Sequence, residues 1–220
     1  MDEKFISNQI AVYKTDKKLL ELNGKLKLAP QEFYAHVHAE SDENANGFRE
    51  SSRIEMKLLD YSSDVKGSTF EVRANISPAS ADYIFSRLRT GRLAFQFDEE
   101  KIMPGVDPVT GRSRVTKLKI VRTDKNAAGE VMRYPWCVEI ENGTAIAAKT
   151  GKGGTYIQKG SFVSTGSVKL NLSDRDLYEM FYTVTHFVNN WEAAYVPANI
   201  FESEAVRNAL IEEKRNQEAG

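Results

Sequence analysis

The side chains able to do chemistry are few, and their spacing excludes most of what they could do. His36-Val37-His38 puts two imidazoles on one face of a predicted strand, because alternate strand residues share a face. A zinc site needs a third and usually a fourth ligand. His186 falls in the middle of a predicted helix, off its apolar stripe, and Cys137 is isolated. No metal is therefore expected, and the pair reads as surface histidines. The stretch Lys149-Thr150-Gly151-Lys152-Gly153-Gly154 has the composition of a phosphate-binding loop without its spacing. Ile146 stands where the first glycine belongs, and Gly153 follows Lys152 where Ser or Thr is required. The stretch joins two strand-like segments, so it reads as a hairpin turn whose lysines can still meet phosphates. The carboxylates Asp98-Glu99-Glu100 lie in loop-like sequence without an acid–base partner. With no nucleophile elbow, zincin motif or dinucleotide fingerprint, the chain reads as non-enzymatic and free of cofactor.

What remains is basic residues interleaved with aromatics on strands. Single-stranded nucleic acid needs both, cations for phosphates and flat rings for unstacked bases. The candidates in the first half are Lys25, Lys27, Arg53, Lys57 and Arg73, with Phe33, Tyr34 and Phe70 as rings. Phe70, in phase with Val72 and Ile76, is expected to fill core instead. The second half offers Lys117, Lys119, Arg122, Arg133, Tyr134, Trp136, Lys149, Lys152, Tyr156, Lys159 and Lys169. Charge distribution points the same way. The chain of 220 residues is nearly neutral at −1, but residues 101–170 hold twelve basic and five acidic side chains, an excess of seven. Residues 171–220 hold four basic and nine acidic ones. A basic middle beside an acidic end suits a polyanion; an unevenly charged but merely solvated surface is the alternative.

These residues need elements to hold them. Alternating stretches predict strands over 9–14, 25–38, 52–60, 69–76, 92–97, 114–122, 131–140, 144–149, 155–164 and 167–172. Asn23-Gly24, Glu141-Asn142-Gly143 and Gly151–Gly154 read as turns, and 98–113, with two prolines and two glycines, as the linker between halves. Ser77-Pro78 opens a helix carrying Ala81, Ile84, Phe85 and Leu88, stopped at Gly91. Ser173 with Asp176 is an approximate capping box. It opens a second helix with the stripe Leu177, Met180, Phe181, Val184, Val188 and Trp191. Pro197 is expected to break it, leaving an acidic helix or tail over 201–220.

The two strand-to-helix corners match. Arg73-Ala74-Asn75-Ile76-Ser77 aligns with Lys169-Leu170-Asn171-Leu172-Ser173. The expected fold is α+β, two antiparallel sheets from an internal repeat of four strands and a helix, plus a C-terminal helix. Repeat one spans about 9–91 and repeat two about 114–192. No run is apolar enough for a membrane helix. The charged start Met1-Asp2-Glu3-Lys4 and the single cysteine favour a cytoplasmic setting without leader peptide.

This layout resembles the Whirly family of single-stranded DNA-binding proteins. The similarity spans roughly 9–200 as one domain. It is carried by the basic strand 114–122, by Lys169-Leu170-Asn171-Leu172, and by the helix ending Asn189-Asn190-Trp191-Glu192-Ala193-Ala194. The family's Lys-Gly-Lys-Ala-Ala-Leu signature is replaced by Lys14-Thr15-Asp16-Lys17-Lys18-Leu19, which points to a bacterial or phage-like relative. The resemblance implies crosswise sheets, a homo-oligomer with a tetramer favoured, and single-stranded DNA, or RNA, bound on exposed sheet faces with little sequence preference. The alternative is a structural or protein-interaction module of a phage or mobile element with the same fold.

Overall fold

The computed structural model of the chain describes residues 7–30, 38, 49–62, 69–91, 94–151 and 153–218. The first half is a meander of β1 (Gln9–Lys14), β2 (Lys18–Lys25), β3 (Arg53–Asp60) and β4 (Phe70–Ile76), paired antiparallel in that order, then helix α1 (Pro78–Arg89). The second half has β5 (Phe95–Ile102), β6 (Ser113–Arg122), β7 (Trp136–Ala145) and β10 (Val163–Leu172), again neighbours in chain order, then helix α2 (Asp174–Glu218). A small hairpin, β8 (Ala147–Lys149) with β9 (Thr155–Ile157), is inserted before β10. The α+β class and the two four-stranded antiparallel sheets are as the sequence suggests.

The matched corners are structurally equivalent. Val72, Ala74 and Ile76 are buried in β4, as are Val168, Leu170 and Leu172 at the corresponding positions of β10. Each of these strands then meets a serine cap. Ser77 Oγ accepts from Ser80 N at 2.9 Å. Ser173 Oγ accepts from Asp176 N at 3.2 Å while Ser173 N donates to the Asp176 carboxylate at 3.3 Å, the reciprocal box, and the hydroxyl adds a bond to that carboxylate at 2.6 Å. One core joins both sheets and both helices, with Leu20, Met56, Ile120, Ile140, Ile84 and Phe181 at its centre.

Several expectations are corrected. Residues 98–102 are strand, not linker, and only 103–112 connects β5 to β6. Asp98 and Glu100 lie opposite Lys119 and Lys117, and such opposed charges favour pairing. Asn23-Gly24 and Asn142-Gly143 are not turns; both lie inside strands. A Cβ on Gly24 would stand 3.0 Å from the Phe187 ring, and one on Gly143 2.7 Å from the Phe162 ring. These glycines are bare so that an aromatic can cover the strand. The strand predicted over 25–38 ends at Lys25, residues 26–30 have no regular structure, and 31–37 lie outside the described residues. β7 starts after Pro135 rather than running through it, 144–145 continue it, and of 155–164 only the ends are strand. Pro197 sits inside α2, which continues through it. A proline removes a single helical donor, and the flanking residues keep the helix. Phe70 is 44% exposed, because its strand position lies at the rim of the sheet, where its ring rests on Gly166 of β10.

Candidate nucleic-acid interface

Strands β2, β3 and β4 bury Leu20, Leu22, Ile54, Met56, Leu58, Val72, Ala74 and Ile76 on one face and carry the charged rows on the other. Three cross-strand rows result: Glu21–Lys57–Arg73, Asn23–Glu55–Asn75 and Lys25–Arg53. Charges on this face are interlocked. Lys25 Nζ is 2.5 Å from Glu55, Lys57 Nζ 2.5 Å from Glu21, and Arg73 Nη1 3.7 Å from Glu55. Arg73 Nε also donates to Glu71, and Lys27 pairs with Glu50. Glu50 lies 3.8 Å from Arg53 as well. Glu55 is buried, at 7% exposure, and its two cations offset the cost of removing a carboxylate from water. The hydrogen bond and neighbouring charge of Glu71 hold the Arg73 guanidinium above its ordinary range, outweighing partial burial. It is charged at any working pH.

The sheets meet along an open groove of 810 Å³ that places Lys25, Arg53 and Arg73 opposite Arg114, Thr116, Asn142 and Thr144. A second groove of 680 Å³ shares Arg53, Asn75, Met103 and Pro104 with the first, and adds Ser51, Lys101 and Tyr156. The two therefore adjoin. Where they meet, Arg53 Nε and Asn75 Oδ1 are buried without a hydrogen-bond partner. Tyr156, 51% exposed, comes from the inserted hairpin. The hairpin is tied down by Arg112, which donates to the Thr144 hydroxyl and carbonyl at 2.9 Å each and to the Ser161 carbonyl. Asn142 fixes the wall itself: its Oδ1 accepts from Arg73 N at 2.9 Å and its Nδ2 donates to Arg73 O at 2.8 Å.

The groove thus gathers Lys25, Arg53, Arg73 and Tyr156 from the predicted set, and adds Lys101 and Arg114. Arg114 belongs to the quoted basic strand; its phase, opposite to Lys117 and Lys119, was the available signal. Lys27 and Lys57 do not line the groove; Lys27 pairs with Glu50 at its edge and Lys57 with Glu21. Lys117, Lys119 and Lys169 project from the outer face of the second sheet, with Lys117 Nζ 3.7 Å above the Phe162 ring. Arg133 lies over the exposed Tyr134 at 5.3 Å in the β6–β7 loop. Lys149 and Lys159 are exposed on and after the hairpin. Lys152, Phe33, Tyr34 and His36 lie outside the described residues.

Two candidates are corrected outright. Trp136 is 2% exposed and donates its indole N–H to Asp174 at 2.8 Å, so it cannot stack a base. Arg122 grips Asp174 through Nε at 2.8 Å and Nη2 at 3.1 Å and also pairs with Asp124. It anchors the start of α2, where a carboxylate is favoured by the helix dipole. His38 Nε2 stands 2.9 Å from Glu192 and its ring stacks on Trp191 at 5.7 Å. Among the described residues no group of three metal-ligating side chains occurs.

The chain matches no protein-family model, no curated protein and no solved structure. Among the described residues no helix is long and apolar enough to cross a membrane.

Proposed function

We propose that the protein binds single-stranded nucleic acid, without catalysis, along the groove where its two sheets meet. The observation that carries this is the convergence of Lys25, Arg53, Arg73 and Arg114 on one continuous path that ends beside the exposed ring of Tyr156. Guanidinium groups suit phosphate because their planar donors bind its oxygens in pairs. A tyrosine ring supplies a stacking surface indifferent to base identity. Polar groups of Asn75, Thr116 and Thr144 can take sugar or base edges. No feature of the groove reads a base pair, so weak sequence preference follows.

The carboxylates Glu50, Glu55 and Glu71 stand among these cations. A phosphate must displace or outcompete them, so affinity is modest and falls with salt. Fluorescence anisotropy of a labelled single-stranded oligonucleotide, with Arg53→Ala/Arg73→Ala as comparison, tests the assignment. Loss of binding in that variant supports it; unchanged binding rejects it.

A protein-interaction module is favoured by a different observation, the exposed Tyr182, Phe187, Tyr195 and Phe201 along α2. In that case oligonucleotides do not bind at all.

A further inference from the structure

The outer face of the second sheet carries a charge pattern with an unusual property. Register places Asp98, Lys119, Glu139 and Lys169 side by side across β5, β6, β7 and β10. The signs alternate: acid, base, acid, base. The row toward one side is Glu100, Lys117, Glu141 and Ser167. The row toward the other is Gln96, Val121, Cys137 and Asn171.

Consider a second copy laid face to face, turned about a two-fold axis that runs along the strands between β6 and β7. Each row then meets its own reverse. Asp98 faces the second copy's Lys169, and Lys119 faces its Glu139. Lys117 faces Glu141. In the third row Gln96 faces Asn171, amide against amide, and Val121 faces Cys137, apolar group against thiol. All four charges of the central row find an opposite charge, and no like charges meet in any row. A pattern of acid, base, base, acid would fail this operation, placing like charge on like throughout. Isologous contacts need such self-complementarity.

The charges are also available for it. Asp98, Lys119 and Lys169 are exposed, although Asp98 also accepts a hydrogen bond from the Gln96 amide. No ion pair among the described residues uses Asp98, Lys119, Glu139 or Lys169, although they are neighbours in register. Strands about 4.8 Å apart make the row about 14 Å long, and sheets stacked face to face keep their strands within about 30°. The axis chosen preserves strand direction and so fits that aligned packing.

We infer that this face is a self-association surface whose occupant is a second copy of the chain, held in register by the alternating row. Complementary charges across an interface give register and specificity, and like charges opposed cost several kcal/mol.

Sedimentation of the full chain over a concentration series tests it. The wild-type chain should dimerise, more weakly as salt rises. Lys119→Glu makes the central row acid, acid, acid, base, so two like contacts arise and dimerisation weakens at least about tenfold. Glu139→Lys does the same with base on base. The deciding step mixes these two variants. Reversed against each other, acid, acid, acid, base meets base, base, base, acid, and all four contacts are complementary. Each variant alone should be monomeric where the equimolar mixture dimerises. A monomeric wild-type chain, dimers indifferent to both substitutions, or a mixture no more associated than its parts would overturn the inference.

Discussion

Phe70 and Gly166 occupy equivalent positions in the two halves, ninety-six residues apart, and they pack on each other. A Cβ at position 166 would stand 2.1 Å from Phe70 Cζ. One half supplies the ring and the other supplies the space for it, at the seam between β4 and β10. Backbone conformation agrees, since Gly166 has φ 153°, a value that side chains disfavour.

Gly166→Ala should destabilise the fold by about 1–3 kcal/mol, chiefly through backbone strain at its positive φ, because the 44% exposed Phe70 ring can move aside. Gly143→Ala should behave similarly, because its Cβ would stand 2.4 Å from the Val163 carbonyl oxygen. Gly24→Ala should cost less than about 1 kcal/mol, since the obstructing Phe187 ring is 41% exposed and can move. Urea denaturation of the three variants checks this order.

Asn142→Ala should cost about 1–2 kcal/mol by the same measurement, because it strips both hydrogen bonds from the edge of β4 at Arg73. The groove wall loosens with it, so nucleic-acid binding should weaken although Asn142 carries no charge.

Acid stability should depend on Asp174. The hydrogen bond from Arg122 is the main cause that holds its carboxyl below the ordinary 3.8, aided by the Trp136 indole and opposed by partial burial. A carboxyl depressed in the folded state stabilises the fold above its unfolded value. That contribution disappears as pH falls from about 4 through the lower folded value. Asp174→Asn should thus be less stable than wild type at neutral pH, with the difference narrowing below about pH 4. Thermal melts at pH 7 and pH 3 measure it.

Glu71→Gln should raise affinity for single strands. It frees the Arg73 Nε that Glu71 now accepts from and removes a negative charge from the groove. A gain of a few-fold is expected, about 1 kcal/mol. Anisotropy titration at low salt reads it, and a loss of affinity would place the phosphates elsewhere.

The strand-to-helix corners were legible because their information is local: alternation, a serine cap and an amphipathic stripe lie within a dozen residues. The glycines were not. Asn23-Gly24 and Asn142-Gly143 look like turns until Phe187 and Phe162, distant in sequence, are seen covering them. Trp136 and Arg122 looked like ligand contacts because nothing near them in sequence announces Asp174. Arg53 and Arg73 oppose the apolar phase of their strands, and Lys25 enters as a basic residue on a strand; the carboxylate that joins Lys25 to Arg73, Glu55, comes from the strand between them. Arg114 faces Arg73 across the groove only because the two sheets meet there, which no local pattern announces. Local pattern named the basic residues; tertiary register decided which of them share a groove.

Salt-dependent binding of single strands through that groove is the central claim. The direct measurement is anisotropy with labelled single-stranded and duplex oligonucleotides across a salt series, on wild type and Arg53→Ala/Arg73→Ala. Each phosphate neutralised contributes a slope of roughly −0.7 on single strands, so four cations give at most about −3 in log affinity against log salt. The account predicts tighter binding to single strands, a slope between about −1 and −3, and a shallower slope in the double variant. Preference for duplex, binding indifferent to salt, or a variant that binds as wild type does would contradict it.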